Sequence, residues 1–299
     1  MPVKIAIASG KGGTGKTTVS VSLYSWFVNE LGYKVKLVDC DVEEPNDRIF
    51  FEQAKLVDSE EINQLIPQFD NSKCTFCCRC LEFCEFNAIS VIPKVKFTSI
   101  NAGLCHSCGA CLAACKENAL IEQPHLIGKI NTYRVGLGSG LIEGELAIGS
   151  AMQTMLIKEL KKRVANNCEL VIYDAPPGTS CPVVETIIDA DYVILVTEPT
   201  PFGLHDLKLM FDLLKDVKKP FGVIINKSGL GDMETHQYLK DNDIHLLGEI
   251  PFSRKFASSY SKGEIMCKIK DEMALSYEDI AKKIEQRMIV YEGDNHFKR

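Results

Sequence analysis

Two sets of residues in this chain could do chemistry, and they are of different kinds. Cys74, Cys77, Cys80 and Cys84 stand in the spacing C-x-x-C-x-x-C-x-x-x-C, and Cys105, Cys108, Cys111 and Cys115 repeat it 31 residues later. The repeat runs past the thiols, since Asn87-Ala88-Ile89 matches Asn118-Ala119-Leu120. Thiolates so spaced can wrap a cubane iron–sulfur cluster. The competing reading is zinc, whose ribbons use paired C-x-x-C knuckles with four ligands per ion. Two runs of four at identical spacing fit clusters better. The second set is "SGKGGTGKTT", Ser9–Thr18. Gly10, Lys11, Gly12, Gly13, Thr14, Gly15, Lys16 and Thr17 fit G-x-x-x-x-G-K-T, with Thr18 following. The glycines let backbone N–H groups crowd around phosphate oxygens, and a helix N-terminus adds a favourable field. Lys16 would neutralise β- and γ-phosphate charge, and the Thr17 hydroxyl would ligate Mg²⁺. The same glycines also fit G-x-G-x-x-G, but that reading gives Lys16 and Thr17 nothing to do.

The elements that must position these residues read as an open α/β sheet. "VKIAIAS" (Val3–Ser9) is a short buried strand. Lys16–Leu31 carries apolar residues at helical spacing, and Lys34–Asp41 is a second strand. That order makes a parallel βαβ unit. From about Leu56 to Gln123 the chain turns cysteine-rich and loses long periodicity. Strands resume at Glu169–Gly178, Asp191–Pro199, Lys219–Lys227 and Ile244–Phe252, with helices between them and a closing helix over Tyr277–Ile289. Ligands of such sheets bind beyond the carboxyl ends of the strands. Asp174 ends "LVIYD" just before "APPG", which suits a carboxylate that holds Mg²⁺ through water. Gly178 would sense a γ-phosphate through its N–H. "INKSG" (Ile225–Gly229) resembles the base-recognition strand of GTPases, except that Gly229 stands where those place an acid. Guanine's N–H donors would find no carboxylate there, so adenine is expected, contacted by Asn226.

Composition bounds the setting. The chain has 299 residues, 45% hydrophobic and 25% charged content, and a formal net charge of −6. That length allows two domains or one large one, and that charge argues against a general nucleic-acid binder. No eighteen-residue apolar run exists, and the chain opens directly on a strand, so neither a membrane span nor a signal peptide is expected. Nor does "YEGDNHFKR" at the C-terminus read as a membrane-targeting helix. The thirteen cysteines concentrate in the two runs rather than in a disulfide framework. This indicates a reducing, anaerobic cytoplasm.

Lys11 sharpens the phosphate-loop reading. K-G-G-x-G-K-[ST] stands here as Lys11–Thr17, and the chain resembles the deviant-Walker ATPases, the class of MinD, ParA, Mrp-type carriers and the nitrogenase iron protein. The resemblance covers Met1 to about Asn46 and Tyr133 to about Phe252. It implies that Lys11 reaches across an ATP-bound, face-to-face homodimer to the partner's ATP. It also implies a switch aspartate that orients the attacking water. "VDCDVEEPN" (Val38–Asn46) offers Asp39 and Asp41, of which Asp41 matches better. The cysteine segment resembles the bacterial two-cluster ferredoxin, in which the fourth cysteine of each run ligates the other cluster. That resemblance assigns Cys74, Cys77, Cys80 and Cys115 to one [4Fe–4S] cluster, and Cys105, Cys108, Cys111 and Cys84 to the second. Glu85 and Lys116 replace the proline usual after the fourth cysteine. Cys78 is a spare thiol, and Cys40, Cys168 and Cys267 fill space. Cys181 follows the switch loop, where the nitrogenase iron protein has a ligand to a cluster shared by two subunits. A bridging cluster here would lack two ligands, and the Mrp-type C-x-x-C is absent.

Together the resemblances imply an α/β P-loop NTPase with a mostly parallel, doubly wound sheet over 1–56 and 124–299, and an inserted α+β ferredoxin-like domain over 57–123. They imply an ATPase using ATP, Mg²⁺ and two [4Fe–4S] clusters, coupling nucleotide state to electron transfer toward a redox or client partner. No nucleic-acid or membrane partner is expected. A carrier or assembly ATPase for iron–sulfur clusters and a redox-sensing MinD-like switch remain as alternatives.

Overall fold

A computed structural model describes residues 1–135, 139–164 and 167–296. Its strands are β1 (Val3–Ala8), β2 (Val35–Asp39), β3 (Lys55–Phe69), β4 (Ile89–Ile92), β5 (Phe97–Ile100), β6 (Leu120–Arg134), β7 (Gly140–Leu146), β8 (Leu170–Asp174), β9 (Tyr192–Thr197), β10 (Phe221–Ser228) and β11 (Leu246–Pro251). Its helices are α1 (Lys16–Asn29), α2 (Arg79–Glu82), α3 (Ala110–Ala114), α4 (Gln153–Lys162), α5 (Cys181–Ile187), α6 (Pro201–Asp216), α7 (Glu234–Asp241), α8 (Arg254–Ser261), α9 (Ile265–Glu272) and α10 (Ala274–His296). Among the described residues, no helix is long and apolar enough to cross a membrane.

The chain divides into two compact units: 1–59 with 130–145 and 157–299, and 60–129 with 146–156. These limits differ from 57–123 because β3 and β6, each fifteen residues long, run through both units. The nine-stranded sheet has the order β11-β10-β9-β1-β8-β2-β7-β6-β3. The ladders from β11 through to β7 are all parallel. β8 and β9 are buried at every position and β1 at all but one, as strands covered on both faces must be. β1 lies between β8 and β9, so the loop after β1 opens where the winding of the sheet changes direction. Helix α1 is buried from Val19 to Phe27. Its small serines let it lie close among its neighbours, and Tyr24, Trp26 and Phe27 enter one core with Ile5, Ile172, Ile194, Tyr277 and Ile280.

The second unit shows its duplication in the backbone as well as in the thiols. Left-handed conformations recur 31 residues apart: Phe76 (φ 56°) with Ser107 (50°), Cys78 (65°) with Gly109 (73°), and Asn87 (53°) with Asn118 (49°). The two halves also exchange matching backbone bonds. Asp70 N–H donates to Ala119 O at 2.8 Å, and Asn101 N–H donates to Ala88 O at 2.7 Å. β4 and β5 form an antiparallel pair, Ile89 opposite Ile100. Ile89 and Val91 pack with Leu120 and the sulfurs of Cys80 and Cys111.

Candidate functional site

The phosphate loop leaves the carboxyl end of β1 and enters α1. Gly15 caps that helix with φ +89°, and a Cβ there would stand 2.2 Å from Asn226 Nδ2. Glycine is therefore required on two counts, conformation and space. At Gly10 a Cβ would lie 2.5 Å from Asp206 O in α6. Lys16 is buried, and its ammonium donates to Asp174 Oδ1 at 2.8 Å. Ser20, one helical turn on, donates to the same oxygen at 2.7 Å, and Thr17 donates to Asp174 Oδ2 at 2.9 Å. Asn226 Nδ2 donates to Thr14 O at 2.8 Å and so ties β10 to the loop. A cleft of about 410 Å³ runs along the loop, lined by Gly12, Gly13, Thr18, Asp41 and Asn226 and walled by Pro251, Phe252, Phe256 and Tyr260.

The acids behind the loop are crowded. Asp39 accepts N–H bonds from Asp41 (3.1 Å), Asn46 (2.9 Å) and Asp47 (3.0 Å). Burial, with the Asp174 charge adding to it, raises Asp39 to about 8 despite those donors. Asp41 stands at the cleft, raised to about 6 chiefly by burial, against the pull of Lys16. On Lys16, burial opposes the charge, but Asp174 first and then Asp39 and Asp41 outweigh it and hold the ammonium above its ordinary value. Gly178 N–H donates to Ser9 O at 2.9 Å, so a γ-phosphate contact at this N–H requires that bond to exchange. Lys11 pairs within its own chain to Glu198 at 2.7 Å. Lys227 bonds the other Glu198 oxygen at 3.1 Å and Gly13 O at 2.8 Å.

In the second unit, a cavity is lined by Cys84, Cys105, Cys108 and Cys111 among Ala88, Ile89 and Ile100. The fourth thiol of the first run is thus gathered with three of the second. On the other side, burial raises the Cys80 thiol to about 11, with Cys115 and Cys74 its foremost sulfur neighbours. Cys77 and Cys108, equivalent in the repeat, are both exposed, whereas Cys80 and Cys111 are both buried. Ala88 N–H donates to Cys84 Sγ and Ala119 N–H to Cys115 Sγ, each at 3.3 Å. Cys78 Sγ instead turns to Phe76 O at 3.6 Å.

A model of the CobQ/CobB/MinD/ParA nucleotide-binding domain matches residues 5–266. The chain belongs to this family. An uncharacterized protein of Methanocaldococcus jannaschii is 32% identical over 269 residues, 89% of this chain and 92% of its own. The iron-sulfur cluster carrier protein of the same organism is 25% identical over 302 residues, 94% of this chain and 85% of its own. The septum site-determining protein MinD of Pyrococcus horikoshii, solved with Mg-ADP, superposes with TM-score 0.57 at 19% identity, covering 95% of this chain and 96% of that one. That likeness shows the fold, an α/β P-loop NTPase with a mostly parallel sheet.

Against this family frame, Lys16, Thr17 and Asp174 meet at one point, while Lys11 is turned aside to Glu198. Sequence reasoning missed Ser20, Glu198, Lys227 and Asp47. Ser20 had a readable signal, four residues after Lys16 on the same helix face. Glu198 and Lys227 sit at the ends of neighbouring parallel strands, β9 and β10, a proximity that only the ladder register reveals. Cys181 is exposed at the start of α5, and the side chain of Cys267 lies outside the described residues.

Proposed function

We propose that the chain is an ATP-hydrolysing iron–sulfur protein that couples its nucleotide state to electron transfer through two [4Fe–4S] clusters. The observation that carries this reading is the gathering of Cys84 with Cys105, Cys108 and Cys111 around one cavity. Zinc fits less well. A tetrahedral ion at about 2.3 Å from each sulfur holds its thiolates about 3.8 Å apart. Among the described residues, the only group of three or more His, Cys, Asp or Glu side chains with ligand atoms all within 4.8 Å of one another is Asp39, Asp47 and Asp174. A cubane needs its sulfurs farther apart, because each binds a different iron. Cys74, Cys77, Cys80 and Cys115 would hold one cluster, and Cys84, Cys105, Cys108 and Cys111 the other. When bound, each would supply one-electron transfer between a low-potential donor and an acceptor protein.

On the nucleotide side, the N–H groups of Gly10–Thr17 and Lys16 bind the phosphates. Thr17 and Asp174 would hold Mg²⁺, which would neutralise phosphate charge there. Asp41 accepts a hydrogen bond from the attacking water and orients it toward the γ-phosphate. Adenine lies against Pro251 and Phe252 within reach of Asn226. Lys11 leaves Glu198 for the partner's ATP in a homodimer. A second reading, cluster delivery to client proteins, is favoured by the relatives named iron-sulfur cluster carrier proteins.

Anaerobic reconstitution should give about eight iron and eight sulfide per chain, with Cys80→Ser losing one cluster and keeping the other. Protein isolated anaerobically with two zinc ions and no iron would overturn the cluster reading. Incubation with an apo-ferredoxin and MgATP separates the two functions. Iron that stays on the chain supports electron transfer, and iron that moves supports delivery.

A further inference from the structure

Behind the phosphate loop lies a carboxylate that the proposed mechanism leaves idle. Asp47 opens the 3₁₀ turn Asp47–Phe50 that follows β2, and its side chain is fully buried. Among the described residues, neither of its carboxylate oxygens has a hydrogen-bond partner. One oxygen from each of Asp39, Asp47 and Asp174 lies within 4.8 Å of the others. We infer that Asp47 joins Asp39 and Asp174 in a three-carboxylate seat that takes a divalent cation of the Mg²⁺ class before any nucleotide arrives.

Three features support the seat. The first is charge. Among the described residues, Lys16 is the one ammonium paired into the triad, through Asp174. Arg48, the next residue after Asp47, gives its guanidinium to the carbonyls of Phe51 and Ala54 and lies 5.1 Å from the Tyr133 ring. Bare charge on three buried carboxylates beside one ammonium is costly, so the triad must hold either protons or a cation, and one divalent cation can take the protons' place. The second is preorganisation. Three backbone N–H groups hold Asp39, and Lys16, Ser20 and Thr17 hold Asp174, so two ligands stand fixed before the ion enters. The third is ligand type. Oxygen donors in this number suit Mg²⁺ or Mn²⁺ and not softer metals. The seat deepens the nucleotide-site reading, on which it rests for the place of Asp174. A cation waiting beside Thr17 would meet ATP at the loop, and nucleotide would then bind to a site already neutralised.

The test uses the full chain with its clusters, free of nucleotide, titrated with Mn²⁺ and followed by the room-temperature EPR signal of the free ion. Wild type should take up one Mn²⁺ per chain, displaced by Mg²⁺ and accompanied by a rise in Tm. Asp47→Asn keeps the side chain's shape and removes its charge. It should weaken Mn²⁺ by more than the roughly tenfold typical of losing an outer-shell group. Thr17→Ala takes away one of the three bonds on Asp174 and leaves those from Lys16 and Ser20, so it should weaken Mg·ATP by a larger factor than nucleotide-free Mn²⁺, whereas Asp47→Asn should do the reverse, which separates the seat from the nucleotide's own ion. Wild type that binds no Mn²⁺ without nucleotide, and so holds only protons at the triad, would overturn the inference. So would Asp47→Asn that binds Mn²⁺ as wild type does. Mg·ATP binding by wild type is measured in parallel, so that failure of the nucleotide site itself is seen separately. Should Asp47→Asn fail to fold, wild-type uptake and the cation-dependent Tm still decide.

Discussion

Asp41 carries a conflict between folding and catalysis that one substitution can expose. Burial, with Asp174, Glu44 and Glu43 nearby, raises its carboxyl from 3.8 to about 6 in the nucleotide-free chain. The folded state therefore holds this proton more tightly than the unfolded state does. The stability gained is full below pH 3.8 and is lost as pH rises toward 6. At neutral pH the chain carries an ionised carboxylate in a place that disfavours it, because the proposed chemistry needs it there. Asp41→Asn removes the charge. In nucleotide-free, cation-free buffer its Tm should lose the fall between about pH 4 and 6 that wild type shows. At pH 7 it should gain roughly 1 kcal/mol, discounted for the side chain's partial exposure. The same variant should bind MgATP and fail to hydrolyse it. Thermal unfolding across pH and a phosphate-release assay check the two halves. An Asp41→Asn that is less stable at pH 7 would remove the strain, and one that turns over normally would remove the role.

Among the elements, the two cysteine turns differ at one instructive position. Where the second half has Gly109 at φ 73°, the first has Cys78 at φ 65°. A side chain in that left-handed conformation costs about 1–2 kcal/mol, and glycine avoids the cost. Cys78→Gly should therefore keep both clusters' full iron content and raise stability by about 1 kcal/mol, measured by iron analysis and urea unfolding. Loss of four irons would make Cys78 a ligand and break the symmetry of the repeat. This turn was legible in the sequence because the spacing of thiols and the Asn-Ala pairs carried it. Most of the parallel strands were legible too, as short apolar runs before polar loops: β1, β2, β8, β9 and β11 fall within the segments expected and β10 runs one residue past its segment, whereas β7, parallel to β2, was not anticipated. Nor was β3. Its first seven residues are all exposed, so no alternation marks them, and burial begins only at Ile62. β6 hides likewise behind six exposed residues from Ile121 to Leu126, with Pro124 among them. Asp47 was illegible for another reason. Nothing in "EPND" tells which of its acids a turn will bury.

For the whole molecule, the question is why a nucleotide site and two cysteine cages share one chain. From Asp41 and Asp47 the chain passes through a 3₁₀ turn into β3, which belongs first to one unit and then to the other. In the proposed mechanism this segment would answer to the γ-phosphate, and it is covalently continuous with the cysteine-bearing unit, so ordering or releasing it is one way nucleotide state could reach that unit. If nucleotide and cluster states share a free energy, the linkage is reciprocal. MgATP should shift a cluster midpoint potential, and cluster reduction should change ATP affinity by the matching factor. A coupling of about 1.4 kcal/mol alters affinity tenfold and moves a one-electron potential by about 59 mV. The measurement is an EPR-monitored redox titration of wild type with MgATP, MgADP or no nucleotide, set beside Lys16→Ala, which should lose Mg·nucleotide binding. A shift in wild type that Lys16→Ala lacks establishes the coupling. Equal potentials under every condition would remove thermodynamic gating and leave ATP to control only when the chain meets its partner, an outcome that favours cluster delivery, where the energy of the electron does not matter.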